Sequence, residues 1–202
     1  MFTGLIRELA NVESFSNNIL TLKSNYKPKI GDSIAINGAC LTVVKINSNS
    51  FSVELSPEST SLLALENYKN LVHIEPAMQM GDRFEGHIVQ GHVDCVGTII
   101  KIEKKGNSTD FFISIPKDFL KYMIPKGSVT IDGVSLTINE ILKSEFRLTI
   151  IPHTIENTLF KTYKVGSKVN IETDMFARYI YNMFKKDDSL SWSDIDRIMA
   201  NY

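Results

Sequence analysis

The sequence carries one pattern twice. INGACLTV, Ile36 to Val43, and IDGVSLTI, Ile131 to Ile138, share Ile, Gly, Leu and Thr, and the other four positions are conservative exchanges. The spacing of 95 residues holds into the next segment, where Phe51 matches Phe146 and Pro57 matches Pro152. VHIE (Val72 to Glu75) matches VNIE (Val169 to Glu172) 97 residues on, and FTGLI (Phe2 to Ile6) matches VQGHV (Val89 to Val93) 87 residues on. Unequal offsets place the length changes in surface turns, where they are tolerated. Such self-similarity indicates two tandem units of about 85–95 residues. A chain of 202 residues leaves one large or two small domains open. The repeat decides for two, 1–87 and 88–174, with a remainder at 175–202.

Within each unit the hydrophobic period is two. Gly31 to Ile46 and Ser50 to Ser56 flank the turn-forming Asn47 to Ser50. Val96 to Ile115 turns at Gly106-Asn107, and Gly127 to Ile141 pairs with Glu145 to Ile151. Alternating β-branched runs separated by such turns read as hairpins. About six short strands per unit suggest a small closed barrel. Helical spacing is confined to Pro116–Met123, to Asp174–Phe184 with its apolar stripe, and to Ser191–Tyr202. A stripe of that kind either packs a core or meets another subunit.

Composition narrows the function classes. Lys plus Arg number 22 and Asp plus Glu 23, with no basic stripe, which argues against a nucleic-acid groove or an anionic-membrane patch. No apolar run reaches the ~18 residues of a membrane span, and the start lacks the charged and apolar regions of a signal peptide. Cys40 and Cys95 read as free thiols in a reducing cytoplasm, and zinc-site spacings are absent.

The two units differ where chemistry would sit. Leu5 becomes His92, Asn37 becomes Asp132, Cys40 becomes Ser135, Glu58 becomes His153, and Gly31 becomes Lys126. Two similar pockets with different side chains suit a reaction between two copies of one molecule in unequal roles.

The opening MFTG, the NGACLTV and DGVSLTI pair, QGHVD, IPHT and VNIETDMFARYI resemble the riboflavin synthase family of the bacterial and fungal type over Met1 to Tyr181. The resemblance implies an all-β fold of two tandem six-stranded Greek-key barrels with a C-terminal α-helical segment, assembled as a homotrimer. It implies dismutation of two molecules of 6,7-dimethyl-8-ribityllumazine: a four-carbon unit passes from one to the other, giving riboflavin and 5-amino-6-ribitylamino-uracil. No metal, flavin or nicotinamide cofactor is implied. The active site is expected between the N-terminal barrel of one subunit and the C-terminal barrel of another, and lumazine synthase is a further partner to consider. A lumazine- or flavin-carrying relative without catalysis is the competing class.

Carried over by residue, the first pocket comprises Thr3, Gly4, Leu5, Ile6, Ala39, Cys40, Leu41 and Thr42, then the strand Val53, Glu54, Leu55, Ser56, Pro57 and Glu58, with Ser59. The second comprises Gln90, Gly91, His92, Lys126, Asp132, Val134, Ser135, Leu136 and Thr137, then the strand Leu148, Thr149, Ile150, Ile151, Pro152 and His153, with Thr154. His153-Thr154 stands where Glu-Thr is common in the family, and Ser59 where Thr is usual. The chemistry takes a proton from the C7-methyl of one lumazine, adds a nucleophile to the other, and holds two rings face to face. His92 is the candidate for proton transfer, because imidazole titrates near neutral pH. Ser135 and Cys40 are candidates for stabilising an adduct at a ring carbon. Asp132 and Lys126 are read as a polar pair orienting Ser135 and Thr137, with Thr42 and Thr137 offering hydroxyls to the uracil-like edge. His73 and His87 carry no motif and read as structural or exposed; Cys95 reads as a buried thiol.

Overall fold

The computed structural model describes residues 1–187, so the helix expected at Ser191–Tyr202 lies outside the described residues. Strands β1 (Glu8–Ser16), β2 (Ile19–Lys23), β3 (Ser33–Ile36), β4 (Ala39–Ile46), β5 (Ser50–Glu54) and β6 (Leu71–Pro76) form the first unit. Helix α1 (Pro57–Leu62) lies between β5 and β6. The second unit repeats this with β7 (Cys95–Lys105), β8 (Ser108–Ser114), the single turn α2 (Lys117–Leu120), β9 (Ser128–Ile131), β10 (Val134–Ile141), β11 (Glu145–Ile150), α3 (Pro152–Asn157) and β12 (Lys168–Thr173). Helix α4 (Met175–Asp187) follows.

Each unit closes into an antiparallel barrel, in the order β1-β2-β5-β4-β3-β6 and its equivalent β7-β8-β11-β10-β9-β12. Closure demands sharp local coiling, and bulges supply it. They fall at matched places: Val12/Ser14 corresponds to Ile99/Lys101, and Val43/Lys45 to Ile138/Glu140. Alternate residues fill each interior, among them Leu20, Ile34, Phe51 and Ile74 in one barrel and Ile113, Ile131, Phe146 and Ile171 in the other. Burying one such side chain is worth about 1.5–3 kcal/mol.

The strands expected to run to Glu58 and His153 end earlier, at Glu54 and Ile150. Proline is the reason. Pro57 and Pro152 lie in the first turn of α1 and α3, where a missing N–H costs nothing. Ser56 Oγ also accepts from Ser59 N at 3.1 Å and caps α1. The helix expected at Pro116–Met123 shrinks to the four residues of α2.

The barrels meet through their twin turns. Asn37-Gly38 and Asp132-Gly133 both hold two successive residues at positive φ, the geometry of a tight hairpin. The two glycines face each other: a methyl on Gly38 would stand 2.7 Å from Gly133 N. Around them His73 and Asn170, equivalent positions, do one job with different chemistry. His73 Nδ1 lies 2.8 Å from Asp132 O, and its Nε2 accepts from Leu159 N at 2.8 Å. Asn170 Nδ2 donates to Asn37 O at 2.8 Å, and its Oδ1 accepts from Ala64 N at 2.8 Å. With Nε2 accepting, His73 is the neutral Nδ1–H tautomer, and burial lowers its pKa to about 4. The structural reading of this histidine and the buried state of Cys95 are both met.

Candidate active site

The segments ahead of the two barrels decide the site, because they cross. Thr3 N and Gly4 N donate to the carboxylate of Glu75 on β6, at 2.7 and 3.0 Å. Gln90 N and Gly91 N donate to Glu172 on β12, at 2.7 and 2.9 Å. Burial pushes both carboxyls up, Glu172 to about 7, against the pull of these donors. Phe2 and Val89 exchange backbone hydrogen bonds of 2.8 and 3.1 Å, so the segments lie antiparallel between the barrels. Each then turns to the opposite barrel. Gly4 O accepts from Ser135 N at 2.8 Å, and Gly91 O accepts from Cys40 N at 2.8 Å. Ile6 packs on the second core, and Val93 is buried in the first.

This corrects the grouping of the pockets. Gly4, with Thr3, Leu5 and Ile6 around it, belongs beside Val134 and Ser135. Gly91 and His92 belong beside Ala39 and Cys40. The repeat reveals which residues are equivalent, and equivalence was read as contact; the exchange of segments separates the two. On the first barrel a cavity of about 230 Å³ is lined by Ala39, Cys40, Glu58, Ser59, Leu62, Leu63, Gly91, His92 and Val93. His92 is therefore a partner of Cys40, not of Ser135.

Ser135 has another histidine. His87 is 9% exposed, with Nδ1 2.7 Å from Ser135 Oγ and Nε2 3.4 Å from Thr130 Oγ1. With Nε2–H turned to Thr130, Nδ1 can accept the serine proton. Burial lowers the pKa of His87, and the charge of Asp174 opposes that shift. Of the two readings of His87, structural or exposed, the structure places it buried and hydrogen-bonded to Ser135. A signal was present in the sequence: Gly86-His87 and Gly91-His92 are two Gly-His pairs five residues apart. The first unit has no such cluster. There Cys40 sits with Ala35, Ala77, Phe2 and Val89 in an apolar patch. Ala35 is the equivalent of Thr130, and Ala77 of Asp174.

Asp132 leaves the catalytic set. It is fully buried at φ +44 in the inter-barrel turn, and both oxygens are engaged. Oδ1 accepts from Asn170 N at 2.8 Å and Oδ2 from Tyr163 OH at 2.5 Å. Burial raises its carboxyl to about 7. It forms no ion pair with Lys126, which is exposed. Lys126 instead holds φ +67 where its equivalent Gly31 holds φ +91, a conformation costing a lysine about 1–2 kcal/mol.

The remaining predicted residues divide by exposure. Leu41, Val53, Leu55, Leu148 and Ile150 are barrel interior, and Leu136 packs on the second core. Thr149 Oγ1 is bound to Asp110 at 2.6 Å, inside a network with Arg147. Thr42, Glu54, Thr137 and His153 face solvent, and Thr154 is half-buried. Among the described residues no group of His, Cys, Asp and Glu is arranged to hold a metal ion, and no helix is long and apolar enough to cross a membrane.

The model of the lumazine binding domain matches this chain twice, over residues 3–77 and 90–174. The fold and site thus define a tandem lumazine-binding-domain protein. The riboflavin synthase of Photobacterium phosphoreum is 42% identical, covering 100% of this chain and 98% of its own length. That of Bacillus subtilis (strain 168) is 40% identical, covering 92% and 91%. The chain belongs to the riboflavin synthase family. Its fold also matches the crystal structure of LumP complexed with riboflavin, with a TM-score of 0.76 at 21% identity over 86% of this chain and 100% of that one. A second crystal structure, of LumP complexed with 6,7-dimethyl-8-(1'-D-ribityl) lumazine, gives 0.74 at 22% over 86% and 99%.

Proposed function

We propose that this chain is a riboflavin synthase, a transferase that moves a four-carbon unit between two molecules of 6,7-dimethyl-8-ribityllumazine to give riboflavin and 5-amino-6-ribitylamino-uracil. The observation that carries the reading is the pair of unequal sites in one chain, the Cys40 cavity and the Ser135–His87 cluster. One site offers Cys40 with His92, the other Ser135 with His87. Two identical substrates in different roles need such a pair. Holding both rings together makes the encounter local, an advantage on the order of 7–11 kcal/mol in favourable cases. The Ser135 hydroxyl, with His87 to take its proton, acts on one lumazine directly or through a water. His92 at the mouth of the Cys40 cavity moves the methyl proton of the other. Lys126, kept at a left-handed position that favours glycine, supplies a cation at the rim.

The units are taken as 1–87 and 88–174, with residues 175–202 serving assembly. Helix α4 turns Phe176, Tyr179, Ile180, Met183 and Phe184 to solvent, each 54–71% exposed. Patches of that kind mark contact surfaces. A homotrimer with active sites completed between subunits is the assembly in view, and the two free thiols fit a cytoplasmic enzyme.

A pigment carrier is the competing class. The polar equipment of the second unit favours the enzyme, since a carrier needs one competent pocket. The test is to incubate the purified full-length protein with 6,7-dimethyl-8-ribityllumazine and no cofactor, and to follow riboflavin by its absorbance. Equimolar riboflavin and pyrimidine are expected. Tight binding without turnover would overturn the enzyme reading.

A further inference from the structure

Helix α4 touches the rest of the described chain through few side chains, and one of them reaches the His92 loop. Arg178 Nη1 donates to Asp94 Oδ1 at 2.7 Å, and Nη2 donates to Gln90 Oε1 at 2.8 Å. Gln90 and Asp94 stand on either side of His92, two residues away each. A single planar guanidinium therefore spans the loop. Its fork geometry fixes both partners at once, which an ammonium does less well. Asp94 is itself fixed, because Oδ2 accepts from Thr173 N and Thr173 Oγ1, both at 2.7 Å. Gln90 N is fixed by Glu172, and the carbonyl of Gly91 reaches Cys40 N at 2.8 Å. The ion pair is largely shielded, with side chains 22% and 12% exposed, so salt screens it less than a surface pair.

Nothing of this exists in the first unit. Arg7 stands where Asp94 does, Thr3 where Gln90 does, and Pro76 where Thr173 does. The chain after β6 runs through Ala77 to Gly86 without a helix. The brace serves the loop that carries a histidine, and its equivalent, with Leu5, goes without.

We propose that Arg178 is a positioning residue that sets the His92 loop against the Cys40 cavity and ties its geometry to the seating of α4. The inference rests on His92 acting in the dismutation. Arg178 does not touch the cavity lining itself; it acts through Gln90 and Asp94.

The test compares Arg178→Met, Arg178→Lys and Gln90→Ala with Tyr181→Ala in the full-length protein. Tyr181 lies one turn along the same helix and packs on Tyr122 with ring centroids 5.4 Å apart, away from the loop. Arg178→Met is expected to lower kcat on the order of 100-fold, the cost of a small misplacement at the reacting centre. KM should move much less, the Lys variant should recover part of the loss, and the His92 ring resonance should change position in the NMR spectrum. Tyr181→Ala should lower Tm while leaving kcat and that resonance in place. Gln90→Ala combined with Arg178→Met should cost less than the two losses multiplied. An Arg178→Met enzyme with intact kcat, or one matched in kcat by Tyr181→Ala, overturns the proposal. If Arg178→Met fails to fold, the Lys and Gln90 variants decide it by the same readouts. A wild-type protein that binds lumazine without turnover defeats the function itself, a separate outcome read first.

Discussion

Cys40 and Ser135 occupy the same place in two barrels of the same build, and their surroundings are opposites. Cys40 shares its wall with Ala35, Ala77, Phe2 and Val89. Ser135 faces His87, with Thr130 beside it and the charge of Asp174 near. The framework around both is held constant: matched bulges, matched turns, a buried glutamate gripping each crossing segment. Divergence at the two walls, on a scaffold otherwise largely repeated, is what two substrates in unequal roles would require. One site backs its thiol with apolar side chains and opens to a cavity that Glu58, Ser59 and the loop histidine also line. The other has a hydroxyl and an imidazole built into its wall.

The crossing itself is the feature whose loss should cost most. A methyl on Gly91 would stand 2.6 Å from Cys40 Cβ and 2.9 Å from Cys40 N, at φ +79. Backbone is in the way, so the loop must leave the barrel. Gly91→Ala should destabilise by about 2–5 kcal/mol, the ~1–3 of overpacking added to the ~1–2 of a left-handed backbone, and abolish turnover. Gly31 separates the two costs, since it holds φ +91 with nothing within 4 Å of the added methyl. Gly31→Ala should lose about 1–2 kcal/mol, the conformational cost alone. Equal Tm losses in the two variants would mean that the Gly91 contact is not tight.

Pairing of histidines with pockets comes next in size. Ser135→Ala and His87→Ala should each lower kcat by about 100-fold, and the double variant should be little worse than either. His92→Ala should also lower kcat, but its effect should multiply with that of Ser135→Ala, as for groups in separate pockets. If His92, not His87, proved non-additive with Ser135, the assignment of histidines to pockets would be reversed.

Much of the scaffold was legible because barrels of this size announce themselves locally. Alternating Ile, Val and Thr, the Asn47–Ser50 and Gly106-Asn107 turns and the matched segments each report on neighbours in sequence; Gly31–Ile46 and Gly127–Ile141, each taken as one run, are in fact split into two strands at Asn37-Gly38 and Asp132-Gly133. What escaped was long-range. Nothing local in Phe2–Ile6 or Val89–Val93 says that each crosses to the other barrel, so the pocket partners were exchanged. Asp132 looked catalytic because an acid replaced an amide. Its carboxylate is in fact spent on a backbone N–H and a tyrosine in the core. The contact of His87 with Ser135 went unseen because position 87 has no equivalent in the first unit, and comparison between copies is blind to a residue present once. The strands were drawn too long for a simpler reason: a proline after an apolar run was read as a late strand residue, when it opened a helix.

The smallest expected effect concerns the contact between barrels, where His73 and Asn170 perform one task with an ionisable and a non-ionisable side chain. Burial holds His73 neutral, with a pKa of about 4 against 6.5 in the unfolded chain. The folded form therefore resists a proton that the unfolded chain takes up as pH falls below 6.5. The stabilisation this gives is complete above that pH and drains away on the way down to 4. A difference of that size is worth about 3 kcal/mol across the window. Asp132, raised to about 7 by burial, works in the opposite direction, since the folded state holds its proton more tightly. It is common to wild type and variant and drops out of their difference. His73→Asn copies the solution used at Asn170. At pH 7 it should cost about 1–2 kcal/mol for the ring volume lost. At pH 4.5 that deficit should shrink toward zero or reverse, because asparagine has no proton to gain. Urea denaturation of both proteins at the two pH values reads the difference directly. A deficit that stays constant with pH would show that position 73 carries no buried, neutral imidazole, and the symmetry of the two clamps would then be one of shape alone.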